Sequence, residues 1–171
     1  MRVTHHRALY VALLVLLTGT AACARLQGTR RAAPDPARAA TSRSPARDCP
    51  AKMLRAVVAS CNIARRRAHL RALVGDVRLA RAARRRAATM AAENRLSHAG
   101  WERTVRAEFD TAGIIGENIA YNYPTAAAVT RNWLASPAHR ANILQASFRR
   151  IGVGCAVDGN GQHWWTQEFA D

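Results

Sequence analysis

Residues 151–169 read IGVGCAVDGNGQHWWTQEF. In the first seven, larger side chains (Ile151, Val153, Cys155, Val157) alternate with small ones (Gly152, Gly154, Ala156). That is the period of a β-strand whose two faces meet different surroundings. Asp158-Gly159-Asn160-Gly161 is a run of turn formers, and Gln162 to Phe169 supplies a second strand. The stretch is expected to be an antiparallel hairpin.

Upstream of the hairpin the pattern is helical. Ala126 to Leu134 reads as a helix, and Ser136-Pro137 restarts one, because serine can accept from the first free amides and proline fits the first helical position. Leu54, Val57, Val58, Cys61 and Ala64 recur at helical spacing and predict a helix over about 51–67. A second helix is expected over about 76–94. Leu79, Ala83, Ala87 and Met90 share one of its faces, while Arg78, Arg81, Arg84, Arg85 and Arg86 lie mostly elsewhere. Helices first and a hairpin last predict an α/β fold: an α-β-α sandwich with a central antiparallel sheet flanked by helices, not a parallel doubly wound sheet.

The chain has 171 residues, room for one domain of ordinary size. Its 26 basic and 11 acidic side chains give a net charge of +15, and 49% hydrophobic residues are enough to build a core. Lys52 is the only lysine, a bias that reflects genomic composition as much as selected charge. Nucleic acid is not expected as a partner: the basic helix comes with no zinc-finger spacing, RNA-binding signature or series of stacking aromatics.

The first 22 residues have the form of an export signal. Arg2, His5, His6 and Arg7 precede the apolar run Ala8 to Leu17, and small residues follow. Cutting after Ala22 would make Cys23 the first mature residue, as in a bacterial lipoprotein. Thr20, where such signals usually carry a leucine-like residue, argues for simple secretion instead. Membrane attachment through Cys23 therefore competes with free release, and the expected location is extracellular or in the cell envelope. Residues 23–48, rich in arginine, alanine and proline, are expected to be a disordered linker, with the folded domain over 49–171.

Export makes the cysteines informative. Cys49, Cys61 and Cys155 fall in the domain. Cys61 with Cys155 would bridge helix to sheet, Cys49 with Cys61 would be a local link, and Cys49 with Cys155 is the third option; spacing does not choose among them.

His98, Glu117 and His139 form the polar constellation most suggestive of chemistry. Two imidazoles and a carboxylate could hold zinc or another divalent metal and leave a position open. Alternatively, the carboxylate could orient one imidazole as a general base. No GxSxG elbow or other nucleophile accompanies them.

Several blocks together resemble one family: Leu96-Ser97-His98, Gly116-Glu117-Asn118-Ile119-Ala120, Ser136-Pro137-Ala138-His139-Arg140-Ala141-Asn142-Ile143-Leu144, Ile151 to Gly154 and Trp165 to Phe169. The chain resembles the bacterial branch of the CAP superfamily, the SCP-like group of cysteine-rich secretory proteins, antigen 5 and pathogenesis-related protein 1. The resemblance covers about residues 51–170 and implies an α-β-α sandwich with a cleft where His98, Glu117 and His139 meet. Many eukaryotic members carry a second cleft glutamate where this chain has Ser136. The resemblance further implies that Asn118 and Asn142 satisfy buried backbone near the cleft, and that Trp133, Trp164, Trp165 and Phe169 pack the core.

The function expected from it is a monomeric exported protein that binds an envelope lipid, polymer or protein without catalysis, with a metal as an accessory. The alternative is a metal-assisted hydrolase of an envelope or extracellular polymer.

Overall fold

A computed structural model describes residues 45–171. The expected signal segment, Cys23 and most of the expected linker lie outside the described residues.

In chain order the elements are β1 (Arg47–Asp48), α1 (Ala51–Arg67), β2 (Val74–Gly75), α2 (Val77–Glu93), α3 (Trp101–Glu108), β3 (Ile115–Tyr121), α4 (Ala126–Ala135), α5 (Pro137–Ile143), β4 (Arg150–Val157) and β5 (His163–Ala170). The sheet runs β1-β4-β5-β3, with β2 also on β4. All pairings are antiparallel except the short β2–β4 contact. The helix-flanked antiparallel sandwich expected from the sequence is the observed fold. β1 falls in the segment expected to be linker, because Arg47 and Asp48 pair with Val157 and Ala156 and extend the sheet.

The two faces of the hairpin meet different helices, as its alternation requires. Ile151, Val153 and Cys155 join Trp165, Phe169 and Ala120 in a core closed by Val57 and Cys61 of α1, Val129 and Trp133 of α4, and Ile143 of α5. On the opposite face lie Gly152, Gly154 and Ala156, against α2. A β-carbon at Gly152 would overlap the backbone of Leu79 and Ala80, and one at Gly154 would overlap Ala83 and Arg84. Helix and strand approach backbone to backbone here, and Ala82, Ala83 and Ala87 supply the small face that permits it.

Local signals set the helix ends. Asp76 starts α2 by accepting from the amides of Arg78 and Leu79 at 2.8 and 3.3 Å, and Asn94, in the left-handed region, ends it. Thr125 caps α4 in the same way. Pro137 opens α5 as expected, but Ser136 makes no side-chain cap bond.

The disulfide joins Cys49 to Cys155, whose α-carbons are 5.3 Å apart. The β1–β4 register dictates this choice. With Arg47 opposite Val157 and Asp48 opposite Ala156, Cys49 falls directly across from Cys155. Cys61 remains a buried thiol, accepting a hydrogen bond from the Gln167 amide at 3.1 Å.

Arg65 closes the other end of the core. Fully buried, it donates to four backbone carbonyls: Arg71 at 2.7 Å, Ile143 at 2.9 Å, Gln145 at 2.9 Å and Phe148 at 3.2 Å. One side chain of α1 thus satisfies the end of α5 and the turn leading into β4.

Replacing Gly154 with alanine should cost about 3 kcal/mol, because the obstacle is helix backbone and cannot rotate away. Urea denaturation would show this as a lowered midpoint, with the slope unchanged if the unfolded state is unaffected.

Candidate functional site

The site is organised by an arginine from the middle of α2. Arg86 projects from the same helix face as Ala82 and Met90, one turn before and after it, and its side chain is 6% exposed. Its Nε donates to Glu117 Oε2 on β3 at 3.0 Å. Its Nη1 donates to the carbonyl of Ala99 at 2.9 Å, and its Nη2 to that of Ser97. One guanidinium therefore grips the sheet and both chain neighbours of His98 at once.

Glu117 completes the link. Its Oε1 lies 2.8 Å from His98 Nδ1. A carboxylate paired with arginine is an acceptor, so His98 Nδ1 donates to it and Nε2 stays outside the contact. The Glu117 side chain is 1% exposed and that of His98 is 55% exposed. The pair thus joins a buried charge to a solvent-facing imidazole. A cavity of about 430 Å³ borders His98 and is lined by Gly100, Trp101, Glu102 and Arg103.

A second buried acid stands beside the first. Glu168 on β5 is the direct cross-strand neighbour of Glu117, on the same sheet face and fully buried. No backbone or side-chain donor reaches either of its oxygens. Burial, then the charge of Glu117 and a hydrogen bond shared with it, push its pKa well above the ordinary glutamate value of 4.5, against the pull of Arg86. These causes favour the protonated form of Glu168.

His139 reaches this region from the opposite face. Asn118, next to Glu117 on β3 and so pointing the other way, donates through its amide to the His139 carbonyl at 3.0 Å and to Gln167 Oε1 at 3.1 Å. Asn142 donates to the Glu117 carbonyl at 3.0 Å and to Asn118 Oδ1 at 2.9 Å. These two asparagines dock α5 on β3, the role expected of them. His139 is half-buried, and its Nδ1 is buried without a hydrogen-bond partner. Burial first and the charge of His98 second lower its pKa, so it is neutral at neutral pH.

Of the three candidate residues, His98 and Glu117 are in direct contact, and His139 is close enough for His98 to influence its titration. Among the described residues, no group of three or more histidine, cysteine, aspartate or glutamate side chains is placed to hold a metal ion. Both Glu117 oxygens already have protein partners. The four expected aromatic residues are core: Trp133, Trp164, Trp165 and Phe169 are all buried.

Sequence reasoning missed two members of the site. Arg86 was grouped with a surface arginine run, although its helical phase matches Ala82 and Met90. Glu168 was read only as part of a motif, although its strand phase sets it apart from Gln167 and Phe169.

Arg86→Met should cost about 3–5 kcal/mol, because it leaves Glu117 buried without its counter-charge; a chemical denaturation curve would measure it. Glu168 behaves differently. Its raised native pKa contributes stability that is fully present below about pH 4.3 and is lost as pH rises toward the native value. Glu168→Gln does not titrate. Relative to wild type it should therefore gain stability as pH increases from 4 to 8, by up to about 1.4 kcal/mol per pH unit within the window. Thermal melts across that range would show it.

Comparison with known proteins fits this architecture. A profile described as CAP, cysteine-rich secretory protein family, matches residues 58–169. A Bacillus subtilis (strain 168) relative, the uncharacterized protein YkwD, is 35% identical over 120 residues, covering 66% of this chain and 45% of its own. An extracellular protein containing a SCP domain from Bacillus anthracis str. Ames shares 27% identity at a TM-score of 0.64, over 70% of this chain and 40% of that one. An outer surface protein of Borrelia burgdorferi shares the fold at a TM-score of 0.68 and 14% identity, over 74% of this chain and 98% of that one. The chain thus spans less than half the length of each of the two Bacillus proteins. With the family profile matching most of the domain, from the middle of α1 to the end of β5, the chain belongs to the CAP, or cysteine-rich secretory protein, family.

Proposed function

We propose that this CAP-domain protein is exported to the cell envelope or secreted, and that its cleft binds a ligand without performing a reaction on it. Export is supported by the signal-like first 22 residues and by relatives described as extracellular and as an outer surface protein. Among the described residues no helix is long and apolar enough to cross a membrane; attachment through Cys23 is the lipoprotein-type alternative to free release.

The observation that carries the binding reading is how the polar atoms are committed. Arg86 and His98 occupy the two oxygens of Glu117, and burial beside Glu117 raises the Glu168 pKa well above the ordinary glutamate value. Two imidazole nitrogens stand outside these contacts: His139 Nδ1 has no protein hydrogen-bond partner, and His98 Nε2 is the ring nitrogen that does not face Glu117. Neutral imidazoles are ligands for a divalent cation or acceptors for a polar ligand. A hydrolytic zinc centre uses three protein ligands, and here the third candidate serves Arg86 and His98. Glu117 is then the outer carboxylate that fixes the tautomer of His98. If zinc or a similar ion takes part, His98 and His139 would hold it, and it would supply a charge on which a ligand could dock. The hydrolase alternative would have to draw on a carboxylate other than Glu117, whose two oxygens serve Arg86 and His98.

Zinc titration by calorimetry tests the assignment. One-to-one binding is expected, lost in His98→Ala and in His139→Ala. Glu117→Gln should weaken it by about 10–100-fold, as an outer partner does, without abolishing it. Binding indifferent to both histidines would refute the site, and zinc-dependent turnover of a polymer substrate would replace this reading with the hydrolase.

A further inference from the structure

The sheet edge formed by β4 is covered at its two ends and open in the middle. β2 pairs with Arg150 and Ile151, and β1 pairs with Ala156 and Val157. Both then turn away, into α2 and α1 respectively, leaving residues 152–154 with no strand on that side among the described residues. The carbonyls of Ile151 and Cys155 point to this edge, since they accept from the amides of Asp76 and Cys49. By the alternation of the ladder, the N–H and C=O of Val153 point there too. Gly152 and Gly154 turn theirs toward β5.

A groove of about 490 Å³ lies over this gap, with Leu54, Val58, Val77 and Val153 among its apolar lining and Arg55 and Arg84 beside them. Val77 is 67% exposed, an unusual position for a large aliphatic side chain. Asp76, the one acid in the lining, is already committed to capping α2 and to Arg78 and Arg150. The adjoining start of α1 has no side-chain cap and no acid in its first turn.

We propose that this gap takes an extended peptide segment of another protein, with an aliphatic centre and acidic flanks, added as a short strand against Val153. The edge-facing amide and carbonyl of Val153, at the floor of the groove, call for a backbone partner, which a strand supplies and an acyl chain does not. The three-residue gap spans about 10 Å, enough for one pair of ladder bonds. Alternate side chains of the guest would enter the apolar floor. Its acidic flanks would meet Arg55, Arg84 and the uncapped start of α1. Charge argues against two other occupants: the stretch from Arg25 to Arg47 has six arginines and one aspartate, and a two-fold pairing of copies would set the arginine rims against each other.

The test uses a fluorescein-labelled nonapeptide, Glu-Glu-Val-Thr-Val-Thr-Val-Glu-Glu, and fluorescence anisotropy with the full chain. Saturable binding is expected, weakened at least about tenfold when the three central residues are N-methylated. The Arg55→Glu/Arg84→Glu double variant alters two side chains outside the core; its fold can be verified by its melting curve. It should reverse the preference, binding the lysine-flanked analogue better than the acidic peptide. Three results would each overturn the proposal: no binding of the acidic peptide, binding indifferent to N-methylation, or retention of the acidic preference in the double variant. Palmitate binding with no peptide binding would assign the groove to lipid instead.

Discussion

Arg86 is the constraint around which the cleft is arranged. A buried guanidinium needs an opposite charge and acceptors for its remaining protons, and Glu117, Ser97 and Ala99 meet that need together. The loop after α2 is held to β3 as a result, and His98 is fixed between the two carbonyls the arginine grips. A lysine could provide the charge but not the planar fork that reaches three partners from one position. Two carboxyls can lie side by side at this depth because Arg86 balances one, while burial and the neighbouring charge favour the protonated form of the other.

The closeness of α2 to β4 makes that reach possible. Gly152 and Gly154 let the helix axis sit almost on the sheet, and from there Arg86 extends across β5 toward β3. Bulkier residues on that strand face would lift the helix and carry the guanidinium away from Glu117. On the other face, Arg65 and the Asn118–Asn142 pair set the position of α5, and with it His139. The two imidazoles thus come from independent layers that meet at the β3 edge of the sheet.

Much of this was legible in the residues. Period-two alternation gave the hairpin its two faces, helical spacing located α1 and α2 to within a residue or two, residues 126–134 matched α4, and Ser136-Pro137 marked the start of α5. Four elements escaped. β3 places Glu117 and Asn118 on opposite faces, both buried, so its polar residues hide the strand pattern. α3 is a single short, highly charged segment, and β1 and β2 are two residues each, defined by partners distant in sequence. The cysteine pairing required β1, and so could not be settled before that register was known. The His98–Glu117 contact was anticipated through the family resemblance. Arg86 and Glu168 were not: each sits in phase with its own face, but an ionisable side chain reads as surface until the partner that justifies its burial is known.

The seclusion of Cys61 bears on how the protein matures. Disulfide exchange proceeds through attack by a thiolate, and burial pushes the Cys61 thiol up to about 11 while Gln167 occupies its sulfur. Once the core has closed, the spare cysteine can neither ionise readily nor approach the Cys49–Cys155 bond. Its opportunity to mispair is confined to the unfolded chain, where all three domain thiols are exposed and ordinary in reactivity. Fidelity of oxidation is therefore a race between collapse of α1 onto the hairpin and capture of Cys61 by Cys49, twelve residues away in the chain. The same packing that excludes water from the core acts, after folding, as proofreading of the covalent link.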